Sequence, residues 1–204
     1  MNILGRMDPP LIKVLLTGDV GVGKTTFATR LSNPDPEERP PPTIPTIGCE
    51  YSQLRRRHDV VHMWDISGNR KYESFFSLYV KKTNHVILFY DVGSRYSFER
   101  LSEIFSQSVK SLKGTDCCLA VVGNKCDKGV DRFAVVSEST LDTLLSDIRL
   151  TFPNVSKHFL STLEDDLDTL MQVLPPSDVR QIPQVQDRNP GNVVCATVAN
   201  CSVL

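Results

Sequence analysis

Gly18-Asp19-Val20-Gly21-Val22-Gly23-Lys24-Thr25 has the spacing G-x-x-x-x-G-K-[ST]. Glycines placed this way let backbone N–H groups curl around phosphate oxygens. Lys24 adds a point charge for the β- and γ-phosphates, and Thr25 adds a hydroxyl for Mg²⁺. A helical pattern follows, so a helix N-terminus turns its positive end toward the same anion. Asp19 to Thr26 are therefore the candidate phosphate-binding residues. Asp65 lies 41 residues beyond Lys24, in Trp64-Asp65-Ile66-Ser67-Gly68. By itself D-x-x-G is ordinary turn chemistry. Behind a phosphate loop, Asp65 becomes a candidate Mg²⁺ ligand and the Gly68 N–H a contact for the γ-phosphate. Asn124-Lys125-Cys126-Asp127 is the third group. A carboxylate such as Asp127 accepts two hydrogen bonds from N1–H and the exocyclic amine of guanine, a donor pair that adenine lacks. An ATP-using enzyme is disfavoured on that ground.

These residues need elements that present them together. Leu11 to Thr17, Val60 to Asp65, Val86 to Asp91, Leu119 to Gly123 and His158 to Leu160 read as strands. Lys24 to Leu31, Ser97 to Leu112, Thr140 to Leu150 and Glu164 to Leu174 read as helices. Strands separated by helices imply βαβ units and a mainly parallel sheet, with ligands at the carboxyl ends of the strands. Asn33 to Pro45 holds six prolines in thirteen residues and reads as an extended loop. The stretch from Pro175 to Leu204 has little helical period and reads as a flexible tail.

In this order and spacing, the three motifs resemble the Ras superfamily of small GTPases. Thr46-Ile47-Gly48-Cys49-Glu50-Tyr51, Lys71-Tyr72, Val86 to Val92 and Ser97-Phe98-Glu99 are similar to its Rab branch. The resemblance covers about residues 10–174 and implies an α/β, P-loop GTPase fold. That fold has a mostly parallel six-stranded sheet with helices on both faces. It implies GTP or GDP with Mg²⁺ as cofactors, held through the phosphate loop, Asn124, Lys125 and Asp127. Thr25, Thr46 and Asp65 would then hold the metal, with Thr46 and Gly68 reporting the γ-phosphate. Lys24 and Asn69 take the catalytic positions of a GTP hydrolase. Effectors, exchange factors and a soluble chaperone are the implied partners of a monomer. Cys201-Ser202-Val203-Leu204 fits C-a-a-X with Leu at X. This marks Cys201 for geranylgeranylation and implies reversible attachment to the cytosolic face of an intracellular membrane.

Several residues depart from the family pattern. Asn69 stands where Gln usually orients the attacking water, on a stem one methylene shorter. Val20 puts a branched side chain where a small residue is usual, crowding the γ-phosphate. Both predict slow hydrolysis. No aromatic lies between Phe27 and Tyr51 to cover the base. Ser161-Thr162-Leu163-Glu164 only echoes the family's Ser-Ala-Lys, leaving Thr162 and Leu163 as candidate base-side residues. Both features predict faster nucleotide exchange. A second reading is a hydrolysis-deficient nucleotide-binding scaffold.

The rest of the composition sets bounds. With 23 Lys+Arg against 24 Asp+Glu, the net charge of −1 argues against a general nucleic-acid binder. The longest unbroken aliphatic or aromatic run, Val86 to Tyr90, is too short to span a bilayer, and the N-terminus shows no signal-peptide pattern. The cysteines show no C-x-x-C pair and the four histidines no metal spacing. Arg55-Arg56-Arg57-His58 reads as a solvated hairpin turn, with acidic lipid or an effector as the sharper alternative. Trp64 reads equally as core or as switch surface.

Overall fold

The computed structural model describes residues 9–33, 44–107, 109–129, 133 and 135–177. Its six strands are β1 (Leu11–Gly18), β2 (Cys49–Arg55), β3 (Val60–Ile66), β4 (His85–Asp91), β5 (Cys118–Asn124) and β6 (Val155–Phe159). They form one sheet in the order β2-β3-β1-β4-β5-β6. Only β2 runs antiparallel, paired with β3 across a tight hairpin. The helices are α1 (Lys24–Ser32), α2 (Phe76–Tyr79), α3 (Arg95–Gln107), α4 (Glu138–Arg149) and α5 (Leu167–Met171).

Side chains alternate across the strands, so the sheet buries both faces. Ile12, Val14 and Leu16 of β1 pack with Phe27 and Leu31 of α1 and Leu170 of α5. Leu15, pointing the other way, belongs to the core layer that also holds Leu101 of α3 and Leu145 of α4. Every parallel strand therefore delivers its carboxyl end to one edge of the sheet, where the three motifs lie.

Three of the elements read from the sequence differ markedly in extent, and β2 and α2 were not among those read. The expected helix from Ser97 to Leu112 is α3 followed by a separate 3₁₀ turn, Val109–Leu112. It starts earlier because the Ser94 hydroxyl accepts from the Ser97 N–H, as a cap does. Near its end, Ser106 donates to the Glu103 carbonyl. The expected helix from Glu164 to Leu174 shrinks to Leu167–Met171, capped by Asp166. Asp165 cannot extend it, because its carboxylate accepts from the Ser161 N–H at 2.8 Å. The last strand comes earlier than expected, at Val155–Phe159.

Candidate functional site

The phosphate loop turns between β1 and α1 on residues only glycine tolerates. Gly18 has φ 142° and an added Cβ would lie 2.2 Å from the Phe89 carbonyl oxygen in the next strand. Gly23, at φ 104°, precedes α1, and its Cβ would lie 2.1 Å from Asn124 Nδ2. Lys24 is buried, and its ammonium donates to the carbonyls of Gly18 at 3.0 Å and Asp19 at 2.7 Å. Burial pushes its pKa down to about 8, against the opposing pull of Asp65 and Asp19. The loop therefore holds a desolvated cation that gains from an anion beside it.

Thr25, Thr46 and Asp65 come from α1, the segment before β2 and the end of β3. Thr25 Oγ1 donates to Asp65 Oδ2 at 2.5 Å, and Thr46 Oγ1 reaches the same oxygen at 3.3 Å. The two hydroxyls are 3.1 Å apart. Burial raises the Asp65 pKa, while Lys24 and the two threonines pull it down. Asp65 Oδ1 is buried without a hydrogen-bond partner. Two hydroxyls around an under-satisfied buried carboxylate make a hard-oxygen donor set that fits Mg²⁺.

The third motif serves two ends. Asn124 is fully buried; its Nδ2 donates to the Val22 carbonyl at 2.7 Å and to Thr162 Oγ1 at 3.0 Å. Its Oδ1 accepts from the Thr162 N–H at 2.9 Å. It thus straps the phosphate loop to the segment after β6. Asp127 faces the cleft, and its Oδ1 accepts from Ser161 Oγ at 2.5 Å. Lys125 is in the left-handed conformation, with its ammonium 2.8 Å from Asp91. Burial alone would raise the Asp91 pKa, but Lys125, the Gly93 N–H and Lys128 hold it below the usual range.

Ser67 and Gly68 form the far rim of the cleft, and the segment after Gly68 leads away from it. An added Cβ on Gly68 would lie 2.3 Å from the Asp19 backbone, so only glycine lets β3 approach the phosphate loop. Asn69 then caps a 3₁₀ turn, Arg70–Phe75, its Oδ1 accepting from the Lys71 N–H at 3.1 Å. Its amide oxygen therefore serves the backbone of its own segment, which a shortened glutamine would not. Arg100 of α3, with a side chain only 2% exposed, bonds Glu73 of this turn and Glu103 of its own helix. Arg70 reaches Glu103 at 2.9 Å.

One cleft gathers Val20, Gly21, Gly23, Lys24, Thr25, Thr26, Thr46, Gly68, Lys125, Asp127, Thr162 and Leu163 from the expected residues. Asp19 takes part through its carbonyl, on Lys24. Val22 and Asn124 stand behind the lining: Val22 packs in the core, and Asn124 braces the loop. Ile44, Pro45, Ser67, Lys128 and Ser161 also line the cleft and were not singled out from the sequence. Ser161 carried a signal, as the serine of the Ser-Ala-Lys echo. Trp64 is half-buried and sits between Tyr51 and Tyr79 in tilted contact, with centroids at 5.1 and 5.0 Å. Cys201 lies outside the described residues.

A phosphate loop at the edge of a mostly parallel sheet, with a metal corner and a base-side carboxylate, defines a P-loop nucleotide-binding protein. The Ras family profile matches residues 13–175, and the chain belongs to that family of small GTPases. It is 33% identical over 121 residues to human Ras-related protein Rab-20, covering 59% of this chain and 50% of that protein. It is 30% identical over 149 residues to Ras-related protein RABC2b of Arabidopsis thaliana, covering 71% of this chain and 70% of that protein. Mouse Ras-related protein Rab-17 is 29% identical over 134 residues, 64% of this chain and 61% of that protein. The match spans about half the length of Rab-20 and a little more than half of most of the others.

Proposed function

We propose that this chain is a Rab-type switch that binds GTP or GDP with Mg²⁺, hydrolyses GTP slowly and recruits effectors in intracellular membrane trafficking. The convergence of Thr25, Thr46 and Asp65 carries this reading. Thr46 reaches that corner from the segment leading into β2, so metal and γ-phosphate together determine where the segment sits. Mg²⁺, when bound, neutralises charge on the β- and γ-phosphates. Lys24 adds a second positive charge there, and Gly68 offers an N–H. Asp127, oriented by Ser161, selects guanine. Loss of the γ-phosphate releases Thr46 and Gly68, and partners read the loosening of two segments. Thr46 to Tyr51 and Gly68 to Tyr79 form the effector surface. Exchange factors and a soluble chaperone complete the partner set, and Cys201 carries the lipid that attaches the protein reversibly to a membrane.

Asn69 favours a second reading, a nucleotide-binding scaffold with negligible turnover. Its amide oxygen is engaged in capping, which leaves no glutamine-like group to orient a water. Purifying the protein from cells, denaturing it and identifying the released nucleotide tests the guanine-switch reading, and GTP turnover of the purified protein separates it from the scaffold. Stoichiometric guanine nucleotide supports the switch, and an excess of GTP over GDP supports slow hydrolysis. Recovery of adenine nucleotide, or of none after purification in Mg²⁺, would sink the guanine-switch reading.

A further inference from the structure

We propose that the end of the sheet opposite the cleft is a docking surface for an anionic phospholipid bilayer. Topology puts every connection that enters a parallel strand at that end: the hairpin before β3 and the turns before β4, β5 and β6. Those connections, with the ends of β2 and α4 that lead into them, present Arg55, Arg57, Lys81, Lys82, Lys113 and Arg149 to solvent. None of the six has an ion-pair partner among the described residues. The exposed acids beside them are Asp116 and Asp147. A chain with net charge −1 thus carries a cationic end. Leu11 and Leu150 lie at the same end, 64% and 85% exposed, and supply apolar contact beside the charges.

The described chain also finishes here. Arg56, the arginine of the hairpin run that has an ion-pair partner among the described residues, forms a two-pronged pair with Asp59 at 2.7 and 2.8 Å. Its remaining nitrogen donates to the Pro175 carbonyl at 2.8 Å. The segment leading to Cys201 therefore departs from the cationic end. That segment carries Arg180 and Arg188 against Asp178 and Asp187 and adds no net charge of its own. A single prenyl chain gives only marginal, reversible binding, so stable attachment takes a second signal. Basic residues near an anionic leaflet supply one. Docked this way, the nucleotide cleft and the Thr46 to Tyr51 segment face away from the bilayer. The inference rests on the membrane-switch reading for the presence of a bilayer, but its test does not need Cys201.

The full chain is tagged with hexahistidine after Leu204 and held weakly on vesicles through a nickel-chelating lipid. Binding is compared on phosphatidylcholine vesicles with and without phosphatidylserine, for the native protein and the variant R55Q/R57Q/K81Q/K82Q. Phosphatidylserine raises native affinity by at least about tenfold, and the variant loses most of that gain. Should the variant not fold, high salt applied to the native protein removes the same gain by screening. Equal native binding to both vesicles, or a gain that survives both the variant and high salt, overturns the proposal. Displacement by polyglutamate at equal charge concentration would assign the surface to an acidic polypeptide and overturn the bilayer. The mass of the untagged chain made in eukaryotic cells reports lipidation of Cys201 separately.

Discussion

The phosphate-loop wall of the cleft and the second wall that continues beyond its Gly68 rim are built from different materials. The phosphate-loop wall is backbone against backbone, with buried side chains as straps. Gly18 touches β4, Gly23 touches Asn124, and Asn124 ties Val22 to Thr162. The second wall, Arg70–Phe75, runs on from the Gly68 rim outside the cleft lining and buries none of its residues. It is held by the Asn69 cap and by the charges of Arg100, Glu73, Glu103 and Arg70. A wall of close-packed backbone has one arrangement, whereas a wall of caps and ion pairs has several of similar energy. This division suits a nucleotide held on one side and sensed on the other. It also places Asn69, the departure from the family that bears most directly on hydrolysis, on the side that can move.

The sharpest break of the rigid wall is Gly18→Ala. Its Cβ has no room beside the Phe89 carbonyl, and its φ is strained for alanine. We expect a loss of upwards of about 3 kcal/mol in thermal or denaturant unfolding. A loss within a few tenths would mean that this wall also relaxes. On the mobile wall, Glu73→Ala leaves the buried Arg100 with Glu103 alone. The expected cost is about 2 kcal/mol, below that of a fully buried pair because Glu73 is partly exposed. Hydrogen exchange in Arg70–Phe75 should quicken more than in β1. Adding Arg100→Met should restore stability but not protection, because the tie is gone while no buried charge remains. If exchange in the two walls rose equally, the contrast between them would fail.

Both walls were partly legible in the sequence, for different reasons. Phosphate and guanine chemistry demands fixed residue types at fixed spacing, so Gly18 to Thr25, Asp65 to Gly68 and Asn124 to Asp127 could be read directly. The mainly parallel sheet followed from the alternation of strands and helices, whereas the strand order did not. What escaped were pairings between distant residues. Arg100 lies in a helical pattern that promises a solvated arginine, yet the fold buries it against Glu73, 27 residues earlier. Arg56 looked like turn charge and instead fastens Pro175, 119 residues away. The shortening of α5 escaped too, because Asp165 is spent on the Ser161 N–H, a contact with no periodic signature.

A smaller effect tests how the rigid wall meets its ligand. Burial holds the Lys24 pKa at about 8, well below an ordinary lysine. In the ligand-free protein the buried ammonium costs stability below pH 8, and the cost eases as pH rises from there toward 10.5. A phosphate beside Lys24 favours the ammonium and raises its pKa, so binding takes up a proton above pH 8. Guanine-nucleotide affinity should therefore be level below that pH and fall by up to about tenfold per pH unit above it. Titration calorimetry in buffers of different ionisation heat would count the proton. An affinity unchanged well past pH 8 would mean that the ammonium is not the group facing the phosphate.

The smallest change concerns Asn69, where two physical roles make opposite predictions. If the residue were only a shortened water-positioning group, Asn69→Gln would restore reach and raise GTP turnover. As a cap, Asn69 works because its short side chain returns its Oδ1 to the Lys71 N–H two residues on. Glutamine overshoots that geometry, and the cap is worth about 1 kcal/mol. We therefore expect Asn69→Gln to loosen Arg70–Phe75, visible as faster hydrogen exchange there, with turnover unchanged within about twofold. Asn69→Asp preserves the cap and adds a negative charge at the start of the turn, so it should leave exchange at the native rate. A glutamine variant that hydrolyses GTP tenfold faster with native exchange would show that the cap is incidental and the missing methylene is what limits the reaction.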